Sequence, residues 1–598
     1  MTDGPDSLPK PPNPCRACGA DGSGEFCGTC GCRRHPRRGD GPDWWRGSAY
    51  AVAPSEAVLR PAVASTVFPM PTERSRRAFG LALAGVVALL LVTALLKWQA
   101  PLIGIVGLGL PLLFAIYLRE RGAFARSRGN LLIAIALGTV FGVAWALGTE
   151  AAVAHSEPDA LGTPISTTRL VTTAFAIPLT FVALFLAPVL VVRLRRTTDR
   201  KVLDGYGIGA LGAYFFVGAS TLARLASQLS AGPVAEANRS STALAVAAAI
   251  QGLAIPMTAA AVAGAVGATL WFTPSPTAGS PRWYRLTSPV PSIAFGVLCY
   301  LGLGVLDLTT LGYGVQMAIY ALLAVLALYV QRVVVHCALL QERPDDSRAD
   351  ELATCPECGQ MVAAMPFCTD CGVVGHIAPA TSRAVRPLLV AGTCVALVMA
   401  ASAGLSLLLT PPSPNYVCPP DCGRPPLHQP VATNPRFTPA DGEFSVSYPG
   451  EGTAYEAAFE PNGVALNLLA GDGGTLRLFG EPADGRSPRQ IVEDVIKGNY
   501  PDARTAYEIP NALVGYQLGY GEVADVYPAN SISDDSRLRV LVMVAVKNDY
   551  ALIAAGAGPF REFSPDFGSG HPSGANFLLS LDMGKYVNSF MWRGDPPR

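Results

Sequence analysis

Charge is scarce in this chain. Only 15% of its 598 residues are Asp, Glu, Lys or Arg, against 50% apolar, a balance too apolar for an ordinary soluble domain. Lysine is nearly missing: just six of the 45 basic residues are Lys, an Arg bias that fits a GC-rich, bacterial source. The formal net charge is zero, so nothing points to nucleic acid. Catalytic signatures are missing too. There is no G-x-S-x-G, no H-E-x-x-H and no phosphate loop, and the chain is not expected to be an enzyme. The opening MTDGPDSLPKPPNP (1–14) lacks a basic start followed by an apolar stretch. No cleavable leader is expected, and the N-terminus should stay in the cytoplasm.

What the chain has in abundance is long apolar runs. A membrane-spanning helix needs about 20 mostly apolar residues. Nine runs qualify: 78–96, 101–118, 131–148, 170–192, 206–229, 243–272, 292–308, 312–335 and 387–409. They are apolar all round, unlike the one-sided helices of soluble proteins. The shortest, 292–308, carries Asp307 near its end. Few ionisable or polar groups enter the runs: Arg224, Asp307 near an end, and Gln251, with His336 and Glu150 just at the ends of theirs. No paired carboxylates or His relay of a proton-driven pump is present. Pro178, Pro188 and Pro256 are expected to kink their helices. GTVFG (138–142) and GYGIG (205–209) are small-xxx-small patterns that favour close helix approach.

Connecting segments alternate in charge. Arg74, Arg76 and Arg77 precede the first run. Arg119, Arg121, Arg126 and Arg128 follow the second, and Arg193, Arg195, Arg196, Arg200 and Lys201 follow the fourth. Arg282 and Arg285 follow the sixth, and Arg332, Arg343, Arg348, Arg383 and Arg386 the eighth. The intervening connections hold Lys97, Arg169, Arg239 and none. By the positive-inside rule the N-terminus and the segment after the eighth run face the cytoplasm, and everything after 409 lies outside.

Fourteen cysteines fall in groups. Cys15, Cys18, Cys27 and Cys30 form two Cys-x-x-Cys hooks, as do Cys355, Cys358, Cys368 and Cys371. Zinc takes four ligands in a tetrahedron, and thiolates suit it. A glycine follows each hook: Gly19, Gly31, Gly359 and Gly372. Glycine tolerates the left-handed backbone that such a turn needs. Four thiolates leave no open position for a reacting water, so both sites are expected to be structural. The repeated FCGTCG and FCTDCG resemble the small zinc-ribbon modules of bacterial membrane proteins; the resemblance implies a structural Zn(2+) in each of 15–32 and 355–373. A ribbon of this size needs metal to fold, and it also offers a docking face for a cytoplasmic protein partner. Cys32 is expected to be a spare thiol. Residues 33–75, which begin RRHPRR and continue rich in Pro, Gly and Ala, read as a flexible linker.

Beyond the last run, 410–440 is a Pro-rich spacer. Its Cys418 and Cys422 lie on the oxidising side, where a disulfide is expected and a metal is the alternative. From 441 the composition becomes that of a globular domain. GEFSVSYPG alternates Phe444, Val446 and Tyr448 as a strand does. Further strands are expected at 464–470, 475–479, 513–520, 538–546 and 549–555. SPRQIVEDVIKG between them reads as a helix capped by Ser487, with Pro488 in the first turn, Gln490 completing a capping box and Gly498 ending it. A last helix is expected over 576–592. This order, from F-S-V-S-Y-P to the closing S-F-M-W, resembles the PsbP-like α/β/α sandwich family. The resemblance implies an extracytoplasmic binding module without a shared catalytic site.

The expected fold class is thus a mainly α-helical polytopic membrane bundle (78–340 and 387–409) with two four-cysteine ribbons and a C-terminal α+β domain over 441–598. Its setting is a bacterial plasma membrane, in contact with the lipid bilayer. Two functions compete: a scaffold or sensor-like protein, with the ribbons docking partners and the outer domain binding an envelope component, and a transporter or lipid-handling permease with accessory soluble domains.

Overall fold

The computed structural model describes residues 14–15, 19–22, 24–35, 49–59, 62–70, 73–154, 167–195, 201–226, 228–229, 232–235, 240–273, 287–309, 311–342, 352–355, 358–363, 365, 367–373, 385–409, 434–450, 455–468, 474–527, 537–559 and 583–596. Among them, nine helices are long and apolar enough to cross a membrane: Glu73–Leu95, Gln99–Glu120, Ser127–Thr149, Thr172–Leu194, Val202–Leu225, Ser241–Trp271, Pro289–Leu306, Tyr313–Gln341 and Pro387–Leu409. These are the spans one to nine. The short candidate at 292–308 is a full helix of 18 residues.

Spans three, five and six touch almost backbone to backbone. A methyl at Gly138 or Gly142 of span three would overlap the carbonyl oxygens of Gly212 and Phe216 in span five. Gly205 and Gly209 of span five lie equally close to Gly267 and Ala263 of span six. Both small-xxx-small patterns therefore sit at helix crossings, where dispersion attraction between closely apposed backbones holds helices together in lipid. Span nine lies at the edge, reaching the bundle where Val398 and Ser402 meet Gly104 of span two.

Spans four and six share a local device. Each contains a five-residue π-turn, Thr172–Ala176 and Ile250–Ala254. Each then reads Ala-Ile-Pro-x-Thr, at 176–180 and 254–258. Proline lacks an N–H and its ring collides with the carbonyl one turn back; the wider π-turn makes room for it. In both copies the Thr hydroxyl donates to the Ala carbonyl four residues earlier, Thr180 at 2.8 Å and Thr258 at 2.7 Å. Span seven seals the two interruptions. Gly304 rests against Pro178 and the carbonyls of Thr173 and Ala174, and the Tyr300 hydroxyl donates to the Ile255 carbonyl at 3.3 Å.

Part of the expected flexible linker is folded into one end of the bundle. Strands β1 (Ala49–Tyr50) and β2 (Ala53–Ala57) form a hairpin, followed by a short helix, Val63–Val67. Tyr50, Val52, Val58, Phe68 and Met70 are fully buried. The apolar residues scattered through this Pro- and Ala-rich stretch lack a period, which is why they read as a linker. Their partners are the aromatic walls of the spans: Phe68 meets Phe79, Phe114 and Tyr117.

Strands β3 (Leu352–Thr354) and β4 (Met361–Ala363) form a hairpin within the second ribbon. The C-terminal domain is built on seven antiparallel strands, in spatial order β10 (Arg504–Ile509), β13 (Tyr520–Val526), β14 (Leu538–Lys547), β15 (Tyr550–Pro559), β9 (Thr475–Pro482), β8 (Gly463–Leu468) and β7 (Tyr455–Glu460). One face packs on the helix Pro488–Asn499 through Ile491, Val492 and Ile496. The other is covered by a second sheet, β16-β6-β5 (Met591–Trp592, Phe444–Ser447 and Arg436–Phe437), with Phe444, Val446 and Phe590 buried beneath it. The expected final helix is described only over 583–587, and its expected last residues are strand β16. The stretch 513–520 is not one strand. Gly515 and Tyr516 both have positive φ (56° and 62°) and turn it into a tight hairpin, β11 (Leu513–Val514) with β12 (Gln517–Leu518).

This domain touches the helical bundle at the seven–eight connection. The Tyr313 N–H donates to Asp502 Oδ2 at 2.7 Å, and the Tyr313 hydroxyl donates to the Tyr527 carbonyl.

Candidate metal centres

The described cysteine hooks share one backbone design. The glycine N–H closes a turn onto the carbonyl of the first Cys: Gly19 to Cys15 (2.7 Å), Gly31 to Cys27 (2.8 Å), Gly359 to Cys355 (2.9 Å) and Gly372 to Cys368 (2.9 Å). All four glycines have φ between 68° and 75°, the left-handed region that side chains disfavour. The N–H of each first Cys in turn donates to the carbonyl five residues on, at Ala20, Cys32, Gln360 and Val373. These turns aim sulfur atoms inward.

In the second ribbon, Cys355, Cys358, Cys368 and Cys371 lie with all Sγ atoms within 4.8 Å of one another. Cys355 and Cys371 are 3.5 Å apart, and Cys358 and Cys368 3.8 Å. A tetrahedral zinc with bonds of about 2.3 Å needs sulfurs roughly 3.8 Å apart, whereas a disulfide needs about 2.0 Å. The set therefore fits a metal. In the first ribbon Cys15, Cys27 and Cys30 converge in the same way, with Cys15 and Cys30 at 3.6 Å. Cys18 lies outside the described residues, as do Cys418 and Cys422 with their expected disulfide. Among the neutral thiols, hydrogen bonds from Cys27 and then Cys32 push the Cys30 thiol up, and burial does the same to Cys371. A metal must displace those protons. Cys32 thus sits beside the first cluster. Arg33, expected in a basic linker, pairs with Glu25 at 3.1 Å and lies over the Phe26 ring.

The two ribbons are separated by eight spans in sequence and are in contact in space. The Phe26 N–H donates to the Thr369 carbonyl at 2.8 Å, and the Phe367 N–H donates to the Gly28 carbonyl at 3.0 Å. These positions are equivalent in FCGTCG and FCTDCG. The rings follow the same exchange. Phe26 lies so close over Gly372 that a Cβ there would overlap it, and Phe367 does the same over Gly31. Each glycine is thus required twice, by its φ and by the ring above it. Phe367 also joins the apolar core that runs through the bundle. The repeated Phe-Cys-x-x-Cys-Gly was the sequence signal for this pairing, although alone it indicates only two similar modules.

A second polar cluster lies below the ribbons, where residues 49–70 enter the bundle. Arg332, fully buried on span eight, donates to the Val58 carbonyl (3.1 Å), Ser65 Oγ (2.8 Å), Thr66 Oγ1 (3.0 Å), Glu56 Oε2 (3.0 Å) and the Ala57 carbonyl (3.3 Å). Its guanidinium lies 3.9 Å from the centre of the Tyr50 ring. Gln331 donates to the Thr66 carbonyl, and His336 Nδ1 accepts from the Ala51 N–H. Tyr117 and Tyr206 donate to the carbonyls of Pro69 and Val67. Sequence position alone made Arg332 a loop charge and His336 a helix-end residue.

No family model matches the chain. No curated protein matches it either. Among solved structures, it is similar to the Saccharomyces cerevisiae Ran-binding protein Mog1p, at 10% identity, over 27% of this chain and 95% of that one, with a TM-score of 0.20. Among the described residues the chain has nine apolar helices, two cysteine clusters able to hold metal ions and a β-rich C-terminal domain.

Proposed function

We propose that the protein is a multi-pass scaffold or sensor-like protein of a bacterial plasma membrane, with its N-terminus and both zinc ribbons in the cytoplasm and a PsbP-like domain outside. The outer domain would bind an envelope component, and the ribbon pair would present a docking face to a cytoplasmic protein. One observation carries this reading: span eight touches the C-terminal domain at one end and, at the other, the arm that follows the first ribbon. Its first residue, Tyr313, is bonded to Asp502 and Tyr527 of the C-terminal domain. Its far end, from Gln331 to His336, grips residues 49–70. The helix has 29 residues, about 43 Å at 1.5 Å per residue, enough to cross a bilayer core of about 30 Å with about two turns to spare. A shift at one end is thus carried to the other along a single rigid element.

Hydrogen exchange on the full-length protein in lipid nanodiscs tests this. Replacing Asp502 by Ala should loosen protection at 49–70 as well as at the seven–eight connection. Unchanged protection at 49–70 would remove the coupling and leave only an anchored domain.

The transporter reading is supported by the matched interruptions of spans four and six, since paired broken helices mark the substrate sites of many carriers. Solute uptake by proteoliposomes that is abolished by Pro178→Ala and Pro256→Ala, with folding intact, would favour it over the scaffold.

A further inference from the structure

We propose that the two ribbons take up metal as one cooperative unit, each completing the other's second knuckle. The argument starts from the small size of a ribbon. Such a module has little apolar core, so its fold and its metal stand or fall together. Here the knuckle loop Cys27–Cys30 has its Gly28 carbonyl held by the Phe367 N–H and its Gly31 covered by the Phe367 ring. The loop Cys368–Cys371 has its Thr369 carbonyl held by the Phe26 N–H and its Gly372 covered by the Phe26 ring. Each Phe immediately precedes a cysteine ligand of its own cluster. When metal fixes one ribbon, it therefore also fixes the groups that buttress the other.

The contact is reciprocal at the level of single atoms, and linkage makes its thermodynamic effect reciprocal as well: whatever ribbon one adds to the affinity of ribbon two, ribbon two adds to that of ribbon one. The pair also works as a clasp. Ribbon one belongs to the N-terminal arm, whereas ribbon two lies between spans eight and nine. Metal loading then decides whether the ribbon end of the arm, ahead of the anchored residues 49–70, is fastened to the second ribbon. The inference rests on the metal reading of the cysteines and is independent of the outer domain's role.

The test is extraction of zinc from the full-length protein in detergent, under reducing conditions, with a chromophoric chelator. Wild type should release both ions in one transition. Cys355→Ser with Cys358→Ser, which leaves the first cluster untouched, should weaken zinc at that cluster by roughly 5- to 150-fold, the usual range for coupled sites. Phe26→Ala with Phe367→Ala keeps every thiol and should split release into two independent steps. An unchanged first-site affinity in the serine variant, or single-step release in the alanine variant, overturns the cooperativity. Failure of wild type to take up zinc overturns the metal reading with it.

Discussion

Arg332 offers five N–H donors, and the segment 49–70 supplies acceptors to three of its nitrogens. Glu56 is the ionic partner, held also by the Ser65 hydroxyl. Replacing Arg332 by Leu removes the donors of the partly buried Glu56 carboxylate and of the Val58 and Ala57 carbonyls. Loss of one partner of a fully buried pair costs about 3–5 kcal/mol; Glu56 keeps some solvent contact, which lowers that cost, and a lower thermal midpoint of the detergent-solubilised protein should report it. Exchange at 49–58 should rise in the same variant. An exposed residue tells the opposite story. Ser487 accepts from the Gln490 N–H and Gln490 answers to the Ser487 N–H. This box was legible from four letters, because capping depends on neighbours in sequence. Arg332 was not, because its neighbours lie some 270 positions away in the chain. Ser487→Ala should cost about 1 kcal/mol, read as faster exchange at the start of the helix Pro488–Asn499.

Helix crossings and turns were legible to different degrees. Span lengths follow from apolar run length, so all nine were readable. The glycines of GTVFG and GYGIG were readable as a pattern, but the partner helix was not. A bulky residue at Gly142 or Gly209 must push spans three, five and six apart. Gly209→Leu is expected to abolish the monodisperse, folded species in size-exclusion chromatography, while Gly392→Leu on peripheral span nine, where no atom lies within 4 Å, leaves it intact. The π-turns were missed, since an extra residue in a turn leaves no mark on apolar periodicity; the repeated Ala-Ile-Pro-x-Thr was the available cue. Edge strand β10 was missed because it is almost wholly exposed and so lacks the alternation that betrays a half-buried strand. Edge strand β7 does alternate over its first four residues, but Ala457-Ala458 blurs the pattern in the sequence. Central strand β13 is buried throughout and its Gly, Glu and Asp residues hide it from an apolar count.

For the whole molecule, contacts and loop charges fit the membrane arrangement proposed above. The ribbons touch one another and eight apolar helices separate them, an even number, as that arrangement requires. The C-terminal domain touches the seven–eight connection, which the same arrangement would put on its side of the bilayer. A membrane-impermeant thiol reagent on intact, reduced cells is expected to label Cys418 and Cys422 and to spare Cys358 even after metal removal. Elemental analysis of purified protein should find two zinc ions per chain, falling to one when Cys355 and Cys358 are replaced by Ser. Because each metal displaces protons from thiols raised by hydrogen bonds from neighbouring thiols or by burial, zinc affinity should fall as pH falls, which the same chelator assay can follow.

Pairing across eight spans also sets a timetable for biogenesis. About 340 residues separate the last cysteine of ribbon one from that of ribbon two, so at 5–20 residues per second the ribosome leaves the first ribbon alone for roughly 20–70 s. Throughout that interval Phe26 has no Gly372 to cover. The first ribbon stands without its partner until then, and the pair can close only once the eight helices between the ribbons have been synthesised.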